Sequence, residues 1–133
     1  PPELAERRLL VAHDRKALLQ DAQPMLDARG LLELQARARA VHASEALLDY
    51  LQALVRATRE AQDVRTGLSP RGALALLACA RGLALLERRE HLIPEDLQEV
   101  FVPVAAHRLQ IAPNTEAIAE EIAARILEQT PVP

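Results

Sequence analysis

The fold of this chain is decided by residues 65–86, which have the sequence RTGLSPRGALALLACARGLALL. Ser69 is a favourable N-cap, and Pro70 suits the first position of a helix, where its missing N–H has no consequence. From Ala73 to Leu86 the only charged residue is Arg81, and a helix that is apolar on all sides is usually buried on several of them. The pattern predicts a central helix of about four turns, too short to span a bilayer.

Arg71 occupies an unusual position in this helix. It stands in the first turn, where the helix dipole favours anions and disfavours a cation by about 0.3–1 kcal/mol. The same turn is expected to offer unpaired backbone N–H groups, which can bind an anion. A phosphate bound at this point would explain the arginine, whereas composition alone favours an arginine that is merely exposed to solvent.

Five further helical segments are predicted from caps and from the spacing of apolar residues. The first covers residues 3–20 and could be two pieces, because Asp14 can cap a second short helix. The next two run from the Asp27 cap to about Ala40 and from the Ser44 cap to about Gln62. The fourth runs from Pro94 to before Ala112, and the last is capped by Asn114 or Thr115. Residues 63–68 are expected to form a loop that turns at Gly67, and residues 87–91 a polar connection. No strand is predicted. The fold class is therefore all-α, a helical bundle of about six helical segments with no sheet.

Two of these helices carry specific expectations. Pro103 should kink or split the helix that starts at Pro94, because its ring clashes with the carbonyl four residues earlier. In the last helix Ile118, Ile122 and Ile126 recur at every fourth position, so they are expected to stack along one buried face.

Composition excludes several classes of protein. Half of the 133 residues are hydrophobic, but Tyr50 and Phe101 are the only aromatic residues, so the core must be aliphatic. The net charge of −3 argues against a surface for nucleic acid or for an anionic membrane. Cys79 has no partner for an intramolecular disulfide and is expected to be a small buried side chain. No signal peptide or long apolar stretch is found, which favours a cytoplasmic protein.

Catalytic motifs are absent from the sequence. No glycine-rich phosphate loop ends in Lys-Ser or Lys-Thr, and the four histidines have no metal-ligand spacing, so no metal site is predicted. Each pair of adjacent carboxylates, Glu95-Asp96 and Glu120-Glu121, points to different sides of its helix. The chain by itself is therefore predicted not to be an enzyme. Because it opens with Pro-Pro-Glu rather than Met, it is expected to be a fragment of a longer protein.

Several stretches resemble one family. They are LDYLQALVRATRE at residues 48–60, GLSPR at 67–71, IPED at 93–96 and AHR at 106–108. This pattern is similar to the C-terminal helical lid of MoxR-type AAA+ ATPases, and Gly-x-Ser-Pro-Arg is its most specific part. The opening PELAER and the closing TPVP also resemble the ends of that lid, so the likeness covers nearly the whole chain.

The resemblance implies a fold and a role. Residues 1–133 would form a single helical lid domain, and the nucleotide-binding core, with its phosphate loop and Mg²⁺ ligands, would lie N-terminal to Pro1. The lid would close over ATP, and Arg71 would be the sensor-2 arginine that contacts the γ-phosphate. Ser69 is interpreted first as a helix cap and only second as a contact to the nucleotide. The isolated fragment would bind neither ATP nor Mg²⁺.

Partners are also implied by the resemblance. They are the upstream core, neighbouring subunits of a ring such as a hexamer, and a von Willebrand A-domain protein; neither nucleic acid nor a membrane is expected. The whole would act as a chaperone-like remodelling machine. The sequence departs from the family at residues 88–91, where Arg88-Arg89 replaces the usual Gly-Arg. Whether Arg59, Arg81 or Arg108 contact the core is left open.

Two other functions remain as alternatives. One is a free-standing helical module that binds a partner protein through its leucine-rich faces. The other is a helix-turn-helix protein that binds nucleic acid, which the net charge of −3 and the scarcity of aromatic residues disfavour. A phosphate loop encoded upstream of Pro1 in the same reading frame would favour the lid, and a gene that starts near Pro1 would favour the module.

Overall fold

The computed structural model describes Pro2, Leu4, Ala5, Arg7 and residues 22–132. The segment predicted as a helix over residues 3–20 therefore lies largely outside the described residues. The chain divides into two compact units, residues 1–32 and 33–133. The described helices are α1 (Ala28–Ala40), α2 (Glu45–Glu60), α3 (Pro70–Leu86), α4 (Pro94–Ala105) and α5 (Ala119–Gln129).

The all-α fold class is confirmed, with five helices in the described part of the chain. The prediction that no strand is present is wrong, because β1 (Val64–Thr66) pairs antiparallel with β2 (Gln110–Ile111). The Gln110 side-chain oxygen accepts hydrogen bonds from Arg65 Nη2 at 2.9 Å and from Thr66 Oγ1 at 3.1 Å. These strands have three and two residues, too few to show a periodicity in the sequence, so their pairing could not be predicted from it.

The central helix α3 is less buried than its composition predicts. Its buried residues recur at every fourth position on one face: Gly72, Leu76, Ala80 and Ala84. This face packs chiefly against α4, and its small residues allow close approach. Leu74 is 68% exposed and Cys79 is exposed. The expectations that α3 is buried on several sides and that Cys79 is buried are therefore wrong, because no described helix covers the faces that carry Leu74 and Cys79.

The predicted helix starts of α1 and α2 are confirmed. Asp27 accepts the Gly30 N–H on Oδ1 at 2.7 Å, and Ser44 accepts the Leu47 N–H on Oγ at 3.3 Å. The spacing predicts a buried stripe on α2 made of Leu47, Leu48, Leu51, Leu54, Val55 and Thr58. Five of these residues are buried and Leu48 is half-buried. Tyr50 is also buried and was missed by the sequence analysis. No helix among the described residues is long and apolar enough to cross a bilayer.

Helices α4 and α5 correct two details. Helix α4 runs through the exposed Pro103 to Ala105 and tightens into a 3₁₀ turn only at Ala106–Arg108, so Pro103 does not split it. Helix α5 begins at Ala119 rather than at a cap on Asn114 or Thr115.

The misplaced start of α5 has a local cause. The Thr115 N–H bonds to the Ala112 carbonyl at 3.2 Å, which forms a turn instead of a helix cap. Ile118 remains extended and 58% exposed, while Ile122 and Ile126 are buried. The predicted isoleucine stack is therefore confirmed for the last two positions and wrong for the first.

Candidate functional site

The loop before α3 is held on the last turn of α2 by two consecutive side chains. Thr58 is fully buried; its hydroxyl donates to the Val55 carbonyl at 2.6 Å and accepts the Leu68 N–H at 3.0 Å. Arg59 Nε donates to the Leu68 carbonyl at 2.8 Å. Both backbone polar groups of Leu68 are thus bonded by α2, so the loop cannot move without breaking one buried and one partly buried hydrogen bond.

Gly67 is required by a close backbone approach. A Cβ atom at this position would lie 2.6 Å from the carbonyl carbon and oxygen of Thr58 and 2.7 Å from the Arg59 nitrogen. These are backbone atoms of a helix, which cannot turn aside as a side chain can. The turn predicted at Gly67 therefore exists because the loop lies directly on α2.

The predicted cap of α3 is confirmed. Ser69 is extended, its Oγ accepts the Gly72 N–H at 3.2 Å, and its carbonyl accepts the Ala73 N–H at 3.0 Å. Pro70 has no N–H, so the Arg71 N–H is the only first-turn donor without a bond to a described residue. The backbone therefore offers an anion fewer donors than the sequence analysis expected, and a ligand here would depend more on side chains.

Arg71 lies exposed beside this cap. Its guanidinium makes no hydrogen bond or ion pair with any described residue. The structure thus brings Ser69 and Arg71 together at the first turn of α3, with the hydroxyl committed to the cap and the guanidinium available. A planar guanidinium with free N–H groups can bind phosphate or carboxylate oxygens with two parallel hydrogen bonds.

The other arginines of interest have different surroundings. Arg59 holds the loop, as described. Arg81 is partly buried, and its Nε has no hydrogen-bond partner within the described part of the chain. Arg108 is exposed on the 3₁₀ turn. Their contacts with any other domain stay open.

A groove that sequence analysis missed runs between α2 and α3. It has a volume of about 560 Å³ and is mostly apolar, with two arginines among the residues that line it: Leu48, Leu51, Gln52, Val55, Arg56, Arg59, Pro70, Ala73, Leu74 and Leu77. The aliphatic positions belong to two different helices, so no single periodicity predicts the groove. It places an apolar surface next to the start of α3.

The far end of α3 is tied to α4 by an ion pair. Arg89 donates two hydrogen bonds to the Asp96 carboxylate, at 2.6 and 2.5 Å, and Asp96 also accepts the Ile93 N–H at 2.9 Å. Burial raises the pKa of Asp96, but the hydrogen bonds from Arg89 and Ile93 outweigh it, and the pKa lies below its ordinary value of 3.8. Sequence analysis treated residues 87–91 only as a polar connection and missed this pair.

Comparisons with known proteins agree with the fold. A family described as the AAA lid domain matches residues 56–129. The chain is 30% identical over 131 residues to YeaC of Bacillus subtilis, covering 96% of this chain and 41% of that protein. It is 34% identical over 147 residues to Protein MoxR of Paracoccus denitrificans, covering 96% of this chain and 43% of that protein.

One further protein and one solved structure are similar to this chain. Chaperone MoxR1 of Mycobacterium tuberculosis is 37% identical over 115 residues, which cover 80% of this chain and 30% of that protein. A crystal structure from Cytophaga hutchinsonii matches with a TM-score of 0.68 and 24% identity, covering 84% of this chain and 45% of that one; this likeness supports the fold alone. The chain spans less than half the length of the curated relatives it matches. The chain belongs to the AAA lid domain family, and its resemblance to the C-terminal helical lid of MoxR-type AAA+ ATPases is confirmed.

Proposed function

We propose that residues 1–133 are the lid domain of an ATP-hydrolysing protein whose nucleotide-binding core lies N-terminal to Pro1. The lid closes over ATP bound to that core, and Arg71 is the sensor-2 arginine that contacts the γ-phosphate. The observation that supports this role is the unbonded, exposed guanidinium of Arg71 at a helix start that Thr58, Arg59 and Gly67 anchor to α2.

The chemistry of this arrangement is electrostatic. Charge on the γ-phosphate oxygens is redistributed during phosphoryl transfer, and a guanidinium placed beside them stabilises the transition state. Because the loop is anchored, Arg71 would need little rearrangement to act. Ser69 serves mainly as the cap, and a contact from it to the nucleotide is secondary. ATP and Mg²⁺ are held mainly by the core, so the isolated chain hydrolyses no ATP; turnover by the purified chain would contradict this.

The test is steady-state ATP hydrolysis by the full-length protein with Arg71→Ala. We expect activity to fall by about tenfold or more, the scale on which arginines act in phosphoryl transfer. The same change should leave the lid folded or stabilise it by about 0.3–1 kcal/mol, because it removes a cation from the positive end of a helix. Thermal melting of the 133-residue chain measures this second effect.

Two variants sharpen the test. Arg71→Lys should restore activity only in part, because an ammonium group cannot make the same paired hydrogen bonds. Arg39→Ala removes an exposed arginine from the last turn of α1 and is the matched control for charge. Wild-type turnover in the Arg71→Ala protein would remove Arg71 from the site.

The wider role proposed is chaperone-like remodelling in the cytoplasm by a ring such as a hexamer, with neighbouring subunits and a von Willebrand A-domain protein as partners. The relative from Mycobacterium tuberculosis is named a chaperone, which supports this role. The alternative is a free-standing helical module that binds a partner protein, and it is favoured by the exposure of Leu74 beside the apolar groove. A phosphate loop encoded upstream of Pro1 in the same reading frame would favour the lid over the free-standing module.

A further inference from the structure

A pocket lies at the opposite end of α3 from Arg71. It has a volume of about 630 Å³ and opens where the end of α1 meets the connection between α3 and α4. The two segments are held together by backbone bonds: the His42 N–H donates to the Glu90 carbonyl at 2.9 Å, and the Leu92 N–H donates to the His42 carbonyl at 2.9 Å. These bonds fix the backbone of Glu90, which lines the pocket.

Arg88 lines this pocket in a backbone conformation that normally belongs to glycine. Its φ is 59°, the only positive value at a non-glycine residue in the described chain. The Arg88 N–H bonds to the Leu85 carbonyl at 3.0 Å, and the Arg89 N–H bonds to the Ala84 carbonyl at 2.8 Å, the pattern of a helix end that usually carries glycine. Glycine would adopt this backbone conformation without strain. An arginine at this position is therefore expected only if its side chain has a role.

The side chains around the pocket favour a binding role for Arg88. Arg89 is already paired with Asp96, but the guanidinium groups of Arg37 and Arg88 make no bond with any described residue. They come from separate segments and line the same pocket, in which Ala40 and Leu85 add apolar surface. Two available guanidinium groups beside aliphatic side chains fit a ligand that carries carboxylates on a partly apolar frame.

The surroundings favour a peptide over a phosphate ion. The pocket lies at the C-terminal ends of α1 and α3, where the helix dipole disfavours negative charge, and most of all charge concentrated on one small ion. Glu90 adds a hydrogen-bond acceptor. A peptide has N–H donors for the Glu90 carboxylate and separate carboxylates that can lie one beside each arginine, whereas a phosphate ion concentrates its negative charge in one place.

We propose that this pocket binds an acidic peptide segment of a partner protein, with Arg37 and Arg88 each pairing with a carboxylate. The proposal does not rest on the nucleotide role of Arg71. Helix α3 has 17 residues and is roughly 25 Å long, so the two sites are too far apart to share one small ligand.

The test uses the 133-residue chain and short labelled peptides that differ in the spacing of two glutamates along an apolar sequence. Fluorescence anisotropy at low salt measures binding. We expect Arg88→Gly and Arg37→Ala each to weaken binding of the tightest-binding peptide by about tenfold. This is the effect of losing a hydrogen bond to a charged group. Arg88→Gly should at the same time raise the melting temperature, because glycine removes the strain. Loss of binding with a gain in stability separates a ligand role from a structural one.

Arg108→Ala is the matched control, because it removes one exposed arginine far from the pocket in sequence; binding should change by less than about twofold. An equal loss in this control would show that the peptide responds only to net charge and would overturn the proposal. Failure of every peptide to bind the wild-type chain, or full binding to Arg88→Gly, would overturn it too. Inorganic phosphate that occupies the pocket more tightly than any peptide would overturn the assignment to a peptide.

Discussion

The two ends of α3 are built on different principles. The first turn follows local rules, because Ser69 caps it and Pro70 occupies the first position. The last turn breaks a local rule, because Arg88 adopts a positive φ, and it depends on the pair between Arg89 and Asp96. A helix end can therefore be specified by its neighbours in sequence or by a partner on another helix.

This difference suits the roles proposed for the two ends. An arginine that contacts a phosphate benefits from a rigid base. The start of α3 provides one, because the Leu68 N–H donates to the buried Thr58 hydroxyl and the Leu68 carbonyl accepts from Arg59. Strain at Arg88 persists because the surrounding bonds of the α3–α4 connection determine its conformation, which is how strained residues are usually retained at binding sites.

Gly67→Ala should have the largest effect on the start of α3. The new methyl group would meet helix backbone at 2.6 Å, so either the loop or α2 must shift, and we expect the free energy of unfolding to fall by about 3 kcal/mol. Urea denaturation of the chain measures it. Gly82→Ala is the matched control: nothing lies within 4 Å of its Cβ, and in mid-helix it should gain about 0.5–1 kcal/mol. Equal effects in the two variants would show that the loop does not lie on α2.

Thr58→Val should have a smaller effect on the same end. It keeps the shape of the side chain but leaves the buried Leu68 N–H without the bond to Thr58 Oγ1, and we expect a loss of about 1–2 kcal/mol in urea denaturation. Thr130→Val is the matched control. There the Ile126 carbonyl keeps its bond from the Thr130 N–H after the hydroxyl is lost. A loss at residue 130 as large as that at residue 58 would contradict the anchoring role of Thr58.

Asp96→Asn tests the opposite end of α3 through the pH dependence of the free energy of unfolding. The pKa of Asp96 is lower in the folded than in the unfolded chain, because the hydrogen bonds from Arg89 and Ile93 outweigh the effect of burial. Its contribution to stability is thus present above the ordinary value of 3.8 and is lost as the pH falls through the lower folded value. The wild-type chain should be more stable than the variant at neutral pH, by a margin that shrinks in acid.

The measurement is the urea midpoint of both chains from neutral pH down to below the ordinary pKa of Asp96. Glu99→Gln is the matched control, since it removes an exposed carboxylate from the same helix without breaking the ion pair. A margin that stays constant over the whole pH range would show that the pair does not stabilise the end of α3.

Local sequence was sufficient for the parts of this molecule that join near neighbours. The caps at Asp27, Ser44 and Ser69 bond to N–H groups three residues ahead, and the amphipathic stripe of α2 repeats within one helix. Arg71 was singled out for the same reason, because a cation in a first turn is recognisable without any other part of the fold. Its meeting with a phosphate stays a prediction, since that ligand would arrive from outside the chain.

Tertiary structure decided everything that joins distant residues. The pairing of β1 with β2, the ion pair of Arg89 with Asp96, and the pocket shared by Arg37 and Arg88 each unite separate segments, and no periodicity or cap rule links such segments. The exposure of Leu74 and Cys79 was unpredictable for the same reason. An apolar residue on a helix is buried only if another element covers it, and the sequence of α3 does not specify which of its faces its neighbours reach.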